Sequence, residues 1–313
     1  MTTMNAWAFD PLRNQVALSR LPQPAPAAGE LLIENLAIGI NPVDWKFIQA
    51  NPLAWQEGHV PGVDGSGTVV AVGDGGDPKL VGMQVAYHAS LTSDGSFATH
   101  TLVNAERVMV TPVGMAASLA AALPCPMLTA WQAVEKIPVK QGKRALVVGL
   151  GAVNKLLVQL LAQRGFVIDV VSASLSDAQA AELGIRRIYR ALTEVPESYF
   201  AAFDAVGGKN AAMVVPCLMA NGHIVCIQDR IPSPVDAPFT RTISYHEIAL
   251  GALHEYGDRE AWKELMADGE SLLAQVLAGE INVEEPVTFP FDQLDLALRH
   301  SEGTKQKTVV ILE

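Results

Sequence analysis

Hydrophobic and polar positions change rhythm twice along the chain. Short β-branched and aromatic runs fill the first third, at residues 31–40 (LLIENLAIGI), 67–72 (GTVVAV), 85–88 and 97–103. Proline and glycine clusters at 22–26, 41–42, 61–62 and 73–78 separate them. Short strands between such turn signals predict a barrel or sandwich. Near residue 116 the pattern turns helical: 116–123 is rich in Ala and Leu, Pro124 and Pro126 break it, and 127–136 resumes as helix. From Arg144 strand and helix alternate. Residues 145–148 are apolar throughout, as a strand covered on both faces requires, and 153–163 carries apolar residues at helical spacing. Strands at 167–171, 201–206 and 223–227, a helix at 210–219 and a further strand at 247–250 continue the alternation. That rhythm predicts a parallel sheet with crossover helices, an α/β architecture. Residues 258–278 read as helix and 308–312 as a last strand outside the rhythm. This final stretch is expected to return to the first domain.

Composition narrows the partners. Half of the 313 residues are hydrophobic and 18% are charged, which excludes a disordered chain and sets a prior of about two domains. A net charge of −11 repels a polyphosphate backbone, so no nucleic-acid partner is expected. The cysteines are Cys125, Cys217 and Cys226, an odd number without a C-x-x-C pair. That excludes a zinc site built from several cysteines and disfavours a secreted disulfide framework. The N-terminus lacks a basic segment followed by an apolar core. The greasiest stretch, 145–161, is interrupted by Asn154, Lys155 and Gln159, short of the ~20 apolar residues of a membrane span. A cytoplasmic protein without a membrane partner is expected.

The candidate chemistry starts at Gly149, Leu150, Gly151, Ala152, Val153 and Asn154, which follow a strand and open a helix. This is where a Rossmann loop sits. Its first glycine permits the tight turn, its second lets backbone approach a pyrophosphate, and the helix N-terminus supplies amide donors. The third glycine of that fingerprint is Asn154 here, and its side chain is expected to crowd the loop and loosen cofactor binding. About 20 residues on, an NAD site carries Asp or Glu for the ribose hydroxyls. This chain has Ser172, Ala173 and Ser174 there, which leave room for a 2′-phosphate that Arg190 and its neighbour Tyr189 could complete. NADPH is therefore expected, with NADH as the alternative. Asp169 lies too early, inside the strand, to be assigned to the ribose.

GINPVDWK (39–46), HVPGVDGSGTVVAVG (59–73), GSFATH (95–100), ALPCPMLTAWQAV (122–134) and the GLGAVN loop together resemble the medium-chain dehydrogenase/reductase superfamily, and within it the zinc-independent quinone oxidoreductase branch. The resemblance implies a GroES-like β-barrel catalytic domain over 1–123, completed by 254–313, and a Rossmann domain over 124–253. It also implies a homodimer. By the same resemblance Asn41 and Thr129 lie near the nicotinamide, and Val206, Gly207, Ile227 and Gln228 line the cofactor cleft.

Zinc-dependent alcohol dehydrogenases of that superfamily carry Cys where this chain has Asn41, His-Glu where it has Val63-Asp64, and a third ligand at the position of Cys125. Asn41 and Val63 cannot replace a thiolate and an imidazole, so no metal is expected. The remaining chemistry is hydride transfer from a nicotinamide to a small-molecule electron acceptor that is already activated, a quinone or an α,β-unsaturated carbonyl. Tyr87 is a candidate proton donor, with Lys46 and His88 as competitors. Trp45 and Trp55 are candidates for an apolar substrate wall. Each of these also has a structural reading, and strand tyrosines and barrel aromatics are more often core than catalytic. The alternatives are a trans-acting enoyl reductase and a non-catalytic NADPH-binding redox sensor or structural protein.

Overall fold

The apolar runs of the first third fold as strands in the computed structural model, which describes residues 2–196 and 198–312. A hairpin leads, β1 (Thr3–Asp10) antiparallel to β2 (Gln15–Pro22). Next come β3 (Glu30–Ile40), helix α1 (Pro42–Ala50), β4 (Asp64–Val72), β5 (Gln84–His88), β6 (His100–Asn104) and β7 (Val108–Val110). β3 pairs with both β4 and β6, and one core cluster gathers Leu31, Ile33, Val69, Val85, Tyr87 and Val103. Helix α2 (Ala117–Ala122) and helix α3 (Pro124–Glu135) follow. The expected break at Pro124 and Pro126 is instead the start of α3. Proline lacks only an N–H that the first helical turn leaves unpaired anyway.

The strand–helix rhythm then folds as read. Its elements are β8 (Arg144–Val148), α4 (Ala152–Gln163), β9 (Val167–Val171), α5 (Asp177–Glu182), β10 (Arg187–Tyr189), β11 (Tyr199–Asp204), α6 (Lys209–Val214), β12 (Leu218–Cys226) and β13 (Ser244–Glu247). All neighbours are parallel, in the order β10-β9-β8-β11-β12-β13. Counted within this sheet the order is 3-2-1-4-5-6, that of a dinucleotide-binding doubly wound fold. Two boundaries differ from the sequence pattern. The helix expected over 210–219 stops at Val214, two residues before Pro216, because proline cannot continue the ladder. The strand expected at 247–250 lies at Ser244–Glu247.

The last segment holds α7 (Leu253–Tyr256), α8 (Arg259–Leu277), β14 (Val287–Pro290), α9 (Leu294–Thr304) and β15 (Thr308–Ile311). β15 runs antiparallel to β3, with Thr308 opposite Ile40 and Ile311 opposite Ala37. The first sheet thus has the order β14-β15-β3-β4-β5-β7. The chain divides into Met1–Cys125 with Gly251–Glu313, and Pro126–Leu250, against expected junctions at 123/124 and 253/254. Among the described residues no helix is long and apolar enough to cross a membrane.

Candidate active site

In the second unit, the carboxyl edge of the parallel sheet collects the loops that the sequence marked. Gly149 leaves β8 at φ +79°, a left-handed conformation that only glycine adopts without strain. Its N–H donates to the Val171 carbonyl at 3.1 Å. Gly151 is the N-cap of α4, and no side chain caps the helix there. A Cβ at Gly151 would meet nothing within 4 Å. The first-turn amides and the positive end of the helix dipole are therefore left to a ligand, a fit for a phosphate.

Asn154 does not crowd this loop. It is fully buried, and its Nδ2 donates to the carbonyls of Gly149 at 2.7 Å and Val148 at 3.3 Å. Its amide ties the turn, while among the described residues Oδ1 stays buried without a partner.

At the end of β9 the Ser172 hydroxyl accepts from the Leu175 N–H at 3.2 Å. The Arg190 guanidinium donates to the carbonyls of Ser172 at 3.1 Å and Leu175 at 2.8 Å. Arg190 thus stands at the 172–175 turn, beside exposed Ala173 and Ser174. Tyr189 does not join it. That side chain is buried in the cluster around Tyr199, its hydroxyl 3.4 Å from the Tyr199 hydroxyl. Asp169 is buried inside β9 and accepts from Arg144 at 2.8 Å, Arg186 at 2.6 Å and Tyr199 at 2.6 Å. Burial alone would raise its pKa, but hydrogen bonds from Arg186, Tyr199 and Arg144 outweigh it and hold the carboxyl below its ordinary range.

The loops after β11 and β12 share the same edge. A Cβ on Gly149 would lie 3.1 Å from the Val206 side chain, which is 58% exposed. Gly207, at φ +84°, donates its N–H to Asp204 at 2.8 Å. The Ile227 N–H donates to the Asp204 carbonyl at 2.8 Å, and Gln228 beside it is exposed. The turns at 149–154, 172–174, 206–207 and 227–228 therefore form one row, and 149 and 206 flank the point where strand order reverses. Ligands of open α/β sheets bind at that crevice. Thr129 is a buried residue of α3.

In the first unit Asn41 anchors a buried polar cluster. Its Nδ2 donates to Asp64 at 2.8 Å, and its Oδ1 accepts from the Lys307 ammonium at 2.7 Å. Lys307 also donates to the Ile40 carbonyl at 3.2 Å and lies 3.8 Å from the Asp64 carboxylate. The Cys125 N–H donates to the same carboxylate at 2.9 Å. Asp44 accepts from the N–H groups of Asn41 at 2.7 Å and Val63 at 3.2 Å. Burial pushes Asp64 up to about 6 against the pull of Lys307, Cys125 and Asn41. Burial likewise pushes Asp44 up to about 7, against the Asn41 N–H. Lys307 escaped the sequence reading because it sits 266 residues from Asn41. The only signal was a lysine immediately before a strand that returns to the first sheet.

The three competing proton donors fall in different places. Tyr87 is fully buried among β strands, and its hydroxyl donates to Asn35 Oδ1 at 2.7 Å. Burial pushes its phenol far up, so it is placed as core. Lys46 is exposed, its ammonium 5.7 Å from the centre of the Trp45 ring. His88 is buried with Nδ1 3.3 Å from His254 Nε2. Trp55 is a core residue whose Nε1 donates to the Leu91 carbonyl at 2.8 Å, and Trp45 packs against the same cluster.

A sheet completed by the chain's last strand, together with a 3-2-1-4-5-6 sheet whose glycine turn stands at the reversal, makes a two-unit fold of the kind that dinucleotide-dependent oxidoreductases use. Comparison with known proteins agrees. Residues 27–121 match the alcohol dehydrogenase GroES-like domain. A 2-methylene-furan-3-one reductase of Solanum lycopersicum is 29% identical over 74% of this chain, and the match spans 64% of that reductase's length. The quinone oxidoreductase from Coxiella burnetii superposes with a TM-score of 0.82 over 100% of both chains at 21% identity. A cobalt- and zinc-bound alcohol dehydrogenase from Pyrobaculum aerophilum does so at 0.82, covering 99% of this chain and 100% of its own, at 20% identity. Residues 27–121 are thus an alcohol dehydrogenase GroES-like domain, and the chain shares its fold with quinone oxidoreductases and alcohol dehydrogenases of known structure. Because a metal-bound enzyme shares the fold, the metal question rests on side chains.

Proposed function

We propose that this chain is an NADPH-dependent reductase that delivers hydride, without a metal, to a quinone or an α,β-unsaturated carbonyl. The observation that carries the reading is the lysine in the Asn41–Asp64 cluster. Zinc would need three protein ligands at this place, and the cluster offers an amide, the Asp64 and Asp44 carboxylates already held by N–H donors, a single cysteine and an ammonium that repels a dication. Among the described residues no group of three or more His, Cys, Asp or Glu is placed to hold a metal. The likeness to the 2-methylene-furan-3-one reductase and to the Coxiella quinone oxidoreductase supports the acceptor class.

A bound nicotinamide would supply the hydride; the chain supplies position and charge. The uncapped α4 amides at Gly151 would hold the pyrophosphate. Arg190 and the Ser172–Ser174 turn, with no carboxylate at the end of β9, favour a 2′-phosphate over two free hydroxyls. Asn41 is fixed by two partners: its oxygen accepts from Lys307 and one amide N–H goes to Asp64. A single N–H remains to donate to a ligand, so Asn41 acts as a donor of fixed direction. The acceptor's own conjugation takes up the incoming charge, so positioning carries most of the catalysis. We also take the protein to be a cytoplasmic homodimer, with the open side of edge strand β13 as the pairing surface.

Nicotinamide fluorescence titration tests the cofactor, with NADPH expected to bind more tightly than NADH; no binding of either sinks the reading. NADPH oxidation across a panel of quinones, simple enones and enoyl thioesters tests the rest. Turnover of quinones or enones supports the proposal, thioesters alone would favour the trans-acting enoyl reductase, and binding without turnover would make the protein a sensor. One zinc per chain by elemental analysis would overturn the metal-free argument.

A further inference from the structure

The first unit holds a cavity whose lining belongs to it alone. It measures about 700 Å³ and opens among β2, β6, the 88–95 segment, Arg107 and His254. Arg107, in the turn between β6 and β7, is half-buried and held from two sides. Its Nη1 meets His254 Nδ1 at 3.2 Å and the His254 carbonyl at 3.4 Å. The guanidinium carbon lies 4.9 Å from the centre of the Trp262 ring, a cation–π stack.

That contact sets the tautomers of a histidine pair. Arginine is always a donor, so His254 Nδ1 accepts and His254 Nε2 carries the proton. Nε2–H then donates to His88 Nδ1 at 3.3 Å. A proton added to this chain would set two donors against each other. Burial, the neighbouring ring and Arg107 accordingly push His88 down to about 3 and His254 to about 4. The pair is neutral and neutralises nothing.

The charge on Arg107 is likewise unmatched. Two carboxylates line the cavity, but Glu30 accepts from the Ala27 N–H at 2.9 Å, and Asp94 from the Val60 N–H at 2.9 Å while facing His59 at 3.4 Å. Among the described residues no carboxylate pairs with Arg107. Among the described residues its hydrogen bonds are made by Nη1 alone, which leaves the Nε–Nη2 edge without a partner there. Two parallel N–H groups on an immobilised planar cation match the two oxygens of one carboxylate. Met4, Leu21, Val60 and Leu102 give the same cavity an apolar wall.

We propose that this cavity is a binding site for a small monocarboxylate with an apolar body, taken at the Nε–Nη2 fork of Arg107. The site is independent of the reductase reading, since neither the cofactor row nor the Asn41 cluster contributes to it.

The test titrates the full-length protein, without dinucleotide and at constant ionic strength, with sodium benzoate and separately with benzamide. NMR signals of the His254 ring and the Trp262 indole N–H are followed. Benzoate is expected to give saturable shifts, and benzamide, which matches it in shape but lacks the charge, none. Arg107→Gln is expected to abolish saturation. Arg107→Lys, which keeps the charge and loses the fork, is expected to weaken binding tenfold or more and serves alone if the glutamine variant does not fold. Equal shifts with benzamide, unchanged affinity in Arg107→Lys, saturation surviving in Arg107→Gln, or no saturable shift with wild-type protein would each overturn the assignment.

Discussion

Replacing Lys307 by methionine removes the only cation of the Asn41 cluster while keeping most of the side-chain volume. The ammonium is 3.8 Å from the Asp64 carboxylate, with side-chain exposures of 12% and 0%. In an effective dielectric near 20 that pair attracts by about 4 kcal/mol. Desolvation of the lysine offsets part of this, so the net loss at pH 8 is about 3 kcal/mol. The loss must depend on pH, because the attraction exists only while Asp64 is ionised. Burial raises Asp64 in the folded chain to about 6, above its unfolded value. Below pH 6 the wild-type carboxyl is protonated and the ionic part of the difference vanishes. What remains is the pair of hydrogen bonds from Nζ to Asn41 and Ile40, about 1.5 kcal/mol. The difference in unfolding free energy between wild type and Lys307→Met should therefore shrink from about 3 kcal/mol at pH 8 to about half that at pH 4.5. Groups that do not feel the Lys307 charge cancel in the subtraction; Asp44 and His88, which do, both add to the shrinkage toward acid. Urea titration followed by tryptophan fluorescence reads it out, because Trp7, Trp45, Trp55 and Trp262 lie in the first unit and only Trp131 in the second. A difference that is flat from pH 4.5 to 8, or that grows toward acid, would refute the electrostatic account.

Three further outcomes follow from named contacts. Gly151→Asp places a good N-cap in open space, so the melting temperature should hold or rise, while NADPH affinity in a fluorescence titration should fall at least about a hundredfold as the carboxylate takes the amides meant for phosphate. Asn154→Gly deletes the ties to Val148 and Gly149 and adds a helical glycine, and denaturation should show about 2 kcal/mol of destabilisation without tighter cofactor binding. Tyr87→Phe leaves the Asn35 oxygen without its donor and should cost about 1–2 kcal/mol by the same measurement, with turnover of the best acceptor unchanged within a factor of two.

The sequence made the second unit far more legible than the site in the first. Apolar runs such as 145–148, with the glycine turn behind them, follow from local rules: a strand buried on both faces must be apolar throughout, and a left-handed residue must be glycine. The role of Asn154 was misread because its sequence neighbours imply a missing glycine, whereas its partners are backbone carbonyls, which no residue pattern displays. Tyr87 illustrates the same limit, since a strand tyrosine looks alike whether its hydroxyl meets a substrate or Asn35. Lys307 was out of reach altogether. Its meaning depends on a pairing between β15 and β3 that brings together positions 266 residues apart, and only the fold reveals such long-range neighbours.

The placement of β15 also has a consequence for the order in which the protein can be made. The second unit is one uninterrupted stretch, complete once residue 250 has left the ribosome. The first unit, although begun earlier, must wait. Until residues 308–311 arrive, the 37–40 end of β3 is paired with β4 on one side and open on the other, and Asp44 and Asp64 lack the ammonium that faces them. A newly synthesised chain therefore passes through a stage in which its later half is folded while its earlier half carries an open strand edge and a cluster of acids. Synthesis has to deliver Lys307 before the Asn41 cluster far upstream can settle.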